Sequence, residues 1–307
     1  MSIDERTLDA FLADARIADR VKIEDYLAVA QGARPTGSLM VPAELPSGDA
    51  IRGEIDEVYA KKFYSGGGRR GLLGFIERTR LNIRRLITTP LAFRAELIRS
   101  SFDEVVANHE EYVAHREWAE RLGMSSYQKS LRPSLDDLFV PGSDEALERV
   151  SRVMGMRDKI REEAQQHREM SPVFLPEEMS SIFLDAMGVM LGYPTCCVNA
   201  YIADTEKGLD AGARASEQLA EFEGAVDPAA YFAAYFYPCR PDCPEALATG
   251  RNIRSAVGDL RAGLDEMAEL GQRENMEFVL EYREIVRRRQ EEIRAKIEEA
   301  GLDDRER

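Results

Sequence analysis

The segment PEEMSSIFLDAMGVMLGYPTCC occupies residues 176–197, and its pattern decides the fold of the surrounding chain. Pro176 with two glutamates is typical of a helix start, and Gly192 followed by Pro194 is typical of a helix end. The apolar run between them is interrupted by Asp185 and is shorter than the ~20 residues of a membrane span. We therefore predict a buried helix here, directly ahead of two adjacent cysteines.

Helical spacing of apolar residues recurs outward from this segment along most of the chain, whereas strand signals are scarce. The fold class predicted is mainly α, a multi-helix globular protein with irregular loops and a long C-terminal helix. Predicted helices cover residues 3–16, 23–30, 51–63, 72–87, 91–119, 145–166, 177–191, 198–205, 211–223, 229–236, 245–269 and 273–299.

Two stretches broken by proline and glycine, 32–49 and 125–143, are the predicted linkers. They suggest an N-terminal helical region over 1–124 and a C-terminal helical domain over 144–307 that carries every cysteine.

The C-terminal helix repeats an apolar residue every seven positions, at Val279, Val286 and Ile293. Arg283 and Gln290 occupy the second line that a coiled coil would need to be apolar. We expect this helix to pack on its own domain, with a homodimer through the helix as the alternative.

Composition describes a water-soluble chain of 307 residues with a net charge of −15. So acidic a chain repels phosphate backbones, which makes nucleic acid an unexpected partner. Its N-terminus carries charges of both signs without an apolar export segment, so a cytoplasmic location is expected and no membrane association.

One segment, 61–99, reverses this charge, because it has ten basic residues against Glu77 and Glu96. Within it, the glycine-rich turn 65–71 leads into a predicted helix, and such a turn can hold an anion on its backbone N–H groups. Arg69 and Arg70 in this turn are predicted anion-binding residues. The alternative is a basic face that docks against the protein's own acidic surface.

All four cysteines fall in two short segments, GYPTCC at 192–197 and YPCRPDCP at 237–244. Each pair follows a proline and precedes the predicted start of a helix, where unpaired N–H groups favour thiolates and lower the pKa of a cysteine. Metals and disulfide exchange both require thiolates. The pattern therefore predicts one site, formed by Cys196, Cys197, Cys239 and Cys243.

Four interpretations of this site stay open. An iron–sulfur cluster, of the 4Fe–4S type, is favoured because neighbouring thiolates can bind different irons of one cluster. A zinc ion needs four thiolates on one tetrahedron, which adjacent cysteines supply less readily. The other two are a redox dithiol formed by Cys239 and Cys243, and small core cysteines without chemistry.

The turn Gly-Tyr-Pro-x-Cys-Cys, followed some forty residues later by Pro-Cys-x-x-x-Cys, resembles a family of prokaryotic proteins that is defined as a domain of unknown function. The likeness covers roughly residues 179–252. In cysteine order the chain is also distantly similar to QueH-type epoxyqueuosine reductase and to the Cys-Cys-Gly modules of heterodisulfide reductase. That similarity implies that the four cysteines are cluster ligands, although Val198 stands where those modules have glycine.

Residues beside the cysteines are the candidates for substrate contact. Arg240 follows Cys239 on the predicted loop, where a guanidinium can bind a carboxylate or phosphate in a bidentate fork. We predict Arg240, Asp242 and Tyr193 as catalytic residues. The function expected is an oxidoreductase or sulfur-chemistry enzyme that receives electrons from a donor and acts on a small anionic substrate. A non-catalytic helical binding protein with a structural zinc is the alternative.

A second alternative uses histidine. Glu111 with His115, and Glu163 with His167, are spaced four residues apart and share a helix face, as the ligands of a non-haem iron oxygenase would. Solvated helix faces are the simpler explanation of both pairs.

Overall fold

Helices dominate the computed structural model, which describes residues 3–65, 90–166 and 175–299. The chain divides into two compact units, Met1–Gly192 and Tyr193–Arg307. The mainly α class and the long C-terminal helix are thus confirmed. The predicted stretch 125–143 lies inside the first unit, where it forms strands.

The first unit combines helices with one small sheet. Its elements are α1 (Glu5–Ala13), a π-helical segment (Lys22–Leu27) between the short helical turns Asp19–Val21 and Ala28–Ala30, β1 (Thr36–Val41), α2 (Gly48–Ser65), α3 (Pro90–Val106), α4 (Glu110–Arg121), β2 (Tyr127–Arg132), β3 (Leu135–Pro141), α5 (Asp144–Gln166), a 3₁₀ turn (Pro176–Met179) and α6 (Ser181–Leu191).

Aromatic packing joins the helices of this unit at its centre. The ring of Phe11 on α1 lies 5.4 Å from that of Tyr26 and 5.0 Å from that of Trp118 on α4. All three side chains are buried. Removing such apolar surface from water is the main force that holds the elements together.

The sheet is antiparallel with the strand order β1–β3–β2, and it corrects the prediction of two linkers. Leu39 pairs with Leu138 in one ladder, and Tyr127 pairs with Phe139 in the other. Pro133 and Pro141 suggested a linker at 125–143, but Pro133 lies between β2 and β3 and Pro141 ends β3. Both aspartates of β3, Asp136 and Asp137, are buried and paired with arginines. Asp137, for example, accepts a hydrogen bond from Arg157 at 2.7 Å.

Several helix boundaries differ from the predicted ones, and two of the differences have a local cause. The predicted helix 91–119 is split between α3 and α4, because His109 caps α4 by accepting the N–H of Glu111. The predicted helix 245–269 ends early at Gly258, and Gly263 adopts a φ of 91° that no helix accommodates. The predicted helix 72–87 lies outside the described residues.

The end of α6 agrees with the sequence pattern. Ser180 caps its first turn by accepting the N–H of Phe183, and Gly192 ends it in the left-handed conformation at a φ of 74°. Glycine adopts this conformation without the steric cost that other residues meet. The chain then leaves the helix and reaches the first cysteine pair four residues later.

The regular elements of the second unit are all helical within its described residues, 193–299. Its elements are α7 (Thr195–Glu206), α8 (Ala211–Ala220), a 3₁₀ turn (Pro228–Tyr231), α9 (Pro244–Gly258) and α10 (Leu264–Glu299). The predicted helix 229–236 contracts to that single 3₁₀ turn. Among the described residues of the chain, no helix has both the length and the apolar character to cross a membrane.

Contacts with α10 hold this unit together. The 3₁₀ turn, α8 and α9 each pack on that helix, and Val279 on α10 is buried. The side-chain amide of Asn275 donates to the carbonyl of Tyr231 at 3.0 Å, which ties the 3₁₀ turn to α10. Helix α10 thereby supports α9, the helix that Cys243 caps.

Candidate metal centre

The first cysteine pair lies at the beginning of α7. Pro194 is the N-cap residue, and Cys196 and Cys197 occupy the first helical turn. Proline suits this position because its missing N–H has no partner to lose there. The sequence predicted that this helix begins at residue 198, after the cysteines, whereas it begins three residues earlier, at Thr195.

The second pair lies directly before the beginning of α9. Cys243 is the N-cap residue of this helix, and Pro244 is its first residue. Cys239 precedes it on the intervening loop, where the backbone N–H of Cys243 donates to the carbonyl of Arg240 at 3.1 Å. Both pairs therefore meet at helix N-termini, whose partial positive charge favours anionic sulfur.

All four sulfur atoms lie within 4.8 Å of one another. The Sγ atom of Cys243 is 3.5 Å from that of Cys196 and 3.7 Å from that of Cys197, and the sulfurs of the adjacent pair are 3.8 Å apart. The predicted convergence of the two segments on one site is confirmed. No other group of three or more cysteine, histidine or carboxylate side chains within 3–65, 90–166 and 175–299 is arranged to hold a metal ion.

Backbone N–H groups surround the sulfur atoms. The N–H of Cys239 donates to Cys197 Sγ at 3.4 Å, and the N–H of Ala246 bonds to the sulfur of Cys243. Such bonds stabilise thiolates, because they place a positive dipole end against the charge. Cys197 and Cys243 are 2% and 1% exposed, so their sulfurs have little access to water as an alternative donor.

Burial opposes the ionisation of most of these thiols. Burial raises the pKa of Cys196 to about 12 and also raises the pKa of Cys197 and of Cys239. Burial acts in the same direction on Cys243, but the N–H of Ala246 and the neighbouring thiols outweigh it and lower its pKa. The lowered pKa expected from the helix starts is therefore wrong for three cysteines, since desolvation dominates there.

One side of the cysteine group faces outward. Cys196 is half-buried, and its Sγ atom lies 3.4 Å from a carboxylate oxygen of Glu245 in the first turn of α9. Sequence reasoning did not single out Glu245, although its position two residues after Cys243 was a signal that could have done so.

The predicted catalytic residues lie near the sulfurs in different settings. Arg240 and Asp242 are exposed, and their side chains form an ion pair at 3.2 Å. The ring of Tyr193 packs 4.8 Å from that of Phe236 and 6.0 Å from that of Phe232. Catalysis by these three residues stays a prediction.

The remaining predicted site residues are not part of the cysteine group. Arg69, Arg70 and His167 are outside the described residues. Glu111 accepts hydrogen bonds from the backbone N–H and the hydroxyl of Ser47, and Nδ1 of His115 lies 2.9 Å from the hydroxyl of Tyr26. Glu111 and His115 are thus engaged in the core of the first unit.

Comparison with known proteins adds one finding. A family model described as a protein of unknown function (DUF483) matches residues 122–270, a segment that contains all four cysteines. Neither a curated protein nor a solved structure matches the chain. Over this segment, the chain is similar to a family for which no function is described.

Proposed function

We propose that the four cysteines bind one metal ion in a tetrahedral tetrathiolate site, with zinc as the first candidate, and that the ion stabilises the second unit. This makes the chain a metal-binding protein whose centre has a structural role. Of the interpretations left open by the sequence, this proposal favours a structural zinc ion over an iron–sulfur cluster.

The sulfur–sulfur distances carry the proposal. A Zn–S bond of about 2.3 Å gives a tetrahedron whose edges measure about 3.8 Å. The separations of 3.5, 3.7 and 3.8 Å among Cys196, Cys197 and Cys243 agree with such an edge, and Cys239 Sγ lies within 4.8 Å of the other three sulfurs. A 4Fe–4S cluster binds each cysteine to a different iron, which places the sulfurs about 6 Å apart, so these distances fit a single ion better.

The donor set supports a structural role. Four thiolates fill the coordination sphere of zinc, whereas catalytic zinc sites keep one position open for water or substrate. The ligands come from two segments separated by α8, so a bound ion would join parts of the unit that are distant in sequence. Metal binding of this kind contributes directly to folding.

Metal analysis of the purified protein tests the proposal. We expect about one equivalent of zinc per chain, a colourless protein, and loss of the metal in Cys243→Ser. Asp242→Asn is the matched control, because it changes the same loop without removing a sulfur, and it should retain the metal. Zinc-free wild-type protein, or Cys243→Ser with undiminished metal, would contradict the proposal.

A redox centre is the second candidate, and the half-buried sulfur of Cys196 favours it. A single iron in the same tetrahedral site would be open to electron exchange at this edge, close to the exposed Arg240 as a contact for an anionic substrate. Iron in the anaerobically purified protein, with a visible absorbance band that bleaches on reduction, would support this candidate. Acid-labile sulfide in addition would identify a cluster.

A further inference from the structure

Arg214 connects the two cysteine-bearing segments although it lies on neither. It extends from α8, and its Nη1 atom donates to Gln218 Oε1 on the same helix at 2.7 Å and shares its other hydrogen between the carbonyl oxygens of Pro238 at 3.2 Å and Cys239 at 3.3 Å. Its Nε atom donates to Asp204 on α7, and that carboxylate is buried. One guanidinium thus holds the Cys239 loop against the helix that carries Cys196 and Cys197.

A single peptide group connects the contact between Arg214 and Pro238 to the sulfur atom of Cys197. The carbonyl of Pro238 and the N–H of Cys239 belong to the same planar unit and point to opposite sides of it. Arg214 donates to the carbonyl on one side, and the N–H on the other side donates to Cys197 Sγ at 3.4 Å. A cation at the carbonyl polarises the peptide and makes its N–H a stronger donor.

The position of Arg214 makes this effect larger than it would be at the surface. Its side chain is only 18% exposed, and Nη2 is buried without a hydrogen-bond partner in the described parts of the chain. A charge in such surroundings is less screened than one in water. Asp204 balances the charge of Arg214, so we expect Arg214 to act on the sulfurs mainly through the peptide group to which it donates.

We propose that Arg214 is a positioning residue of the metal centre: it orients the peptide between Pro238 and Cys239 so that its N–H stabilises the Cys197 thiolate. The inference rests on the proposed function, because it requires a metal at the four sulfurs. Partners of metal ligands in other proteins typically account for about 10- to 100-fold in metal affinity.

The test compares Arg214→Met and Arg214→Lys with the wild-type protein. Zinc affinity is measured by competition with a chromophoric chelator, and the sulfur-to-metal charge-transfer band is recorded after cobalt substitution. The matched control is Arg283→Met. Arg283 is an exposed arginine on α10 whose partner, Glu217 at 3.1 Å, lies on α8, the helix that carries Arg214. Circular dichroism checks the helical content of each variant.

We expect Arg214→Met to bind zinc about 10- to 100-fold more weakly, and Arg283→Met to bind as the wild type does. The cobalt band of Arg214→Met should move to longer wavelength, because a thiolate without its N–H donor gives up charge more easily. Arg214→Lys keeps the positive charge but loses the planar guanidinium that contacts both segments, so we expect its zinc affinity to lie between those of Arg214→Met and the wild type. If Arg214→Met loses its helical content, Arg214→Lys provides the decisive comparison.

Unchanged affinity in the Arg214 variants would overturn the inference and leave the proposed function intact. Weaker binding without a shift of the cobalt band would also overturn it, since that result indicates a packing role alone. A wild-type protein that binds neither zinc nor cobalt would refute the proposed function and the inference together.

Discussion

Gly250 lies in the interior of α9, where a change to alanine would ordinarily stabilise a helix. Here the 3₁₀ turn crosses the helix at this residue. A Cβ atom placed on Gly250 would lie 1.9 Å from the carbonyl oxygen of Ala229 and 2.7 Å from its carbonyl carbon. We predict that Gly250→Ala strongly destabilises the second unit.

The magnitude follows from two opposing terms. Alanine is favoured over glycine by about 1 kcal/mol in a helix interior. Atoms in contact normally stand more than about 3 Å apart, so the helix would have to move by on the order of 1 Å. Backbone cannot rotate away as a side chain can, and the carbonyl of Gly250 accepts a 3.0 Å hydrogen bond from buried Gln272 that resists the movement. Overpacking costs about 1–3 kcal/mol, and contact with rigid backbone is at the upper end of this range, so after the gain of about 1 kcal/mol we expect a net loss of about 2 kcal/mol.

Chemical denaturation followed by circular dichroism measures this loss, with Gly155→Ala as the control. Gly155 is also inside a helix, α5, but a Cβ atom there meets nothing within 4 Å. The control should therefore gain about 0.5–1 kcal/mol. Zinc affinity is a second measurement, because Cys243 caps the helix that must move. A Gly250→Ala protein as stable as the wild type would refute the steric argument.

Three further predictions concern the site and the buried charges. Chelation of the metal should lower the melting temperature of the wild-type protein but leave that of Cys243→Ser unchanged, and scanning calorimetry measures both. Equal shifts in the two proteins would mean that the chelator does not act through this site. Arg157→Met should cost about 3–5 kcal/mol, because it leaves Asp137 buried without its 2.7 Å partner. Arg149→Met, on the same helix with an exposed Glu145 as its partner, should cost under about 0.5 kcal/mol in the same urea titration. Burial lowers the pKa of His115 from 6.5 to about 4, so the unfolded chain binds a proton in this range that the folded chain does not. Stability should therefore fall from pH 6.5 to pH 4, by up to about 3 kcal/mol. Unfolding titrations of His115→Gln should show a smaller loss of stability between pH 6.5 and pH 4. A pH profile identical to that of the wild type would mean that His115 is not the group responsible.

Local patterns in the sequence were sufficient for the features that depend on neighbours along the chain. Gly192 and Pro194 mark the end of α6 and the start of α7, and the shared setting of the two cysteine pairs indicates one site. These predictions succeed because capping and helix starts are governed by residues within one turn of each other.

Features that depend on distant partners escaped the sequence. The prolines of 125–143 suggested a linker, whereas the buried aspartates of β3 are stabilised by the distant Arg99 and Arg157. Strand β1 becomes recognisable only beside β3. Arg214 has no sequence signal, since its partners Asp204 and Cys239 lie ten and 25 residues away. The pKa directions of the cysteines follow from burial, which no local pattern specifies.

The separation of the ligands along the chain has a consequence for motion. A metal at the four sulfurs closes a loop between Cys197 and Cys239, and α8 lies wholly within that loop. In chain-entropy terms, a cross-link over a loop of this length is worth about 4 kcal/mol. To detach from α10, helix α8 would then have to move together with the whole loop that the metal closes, or the metal would have to dissociate first. Amide hydrogen exchange in α8 should consequently slow when the metal binds, so that a helix without a single ligand reports on the occupancy of the centre.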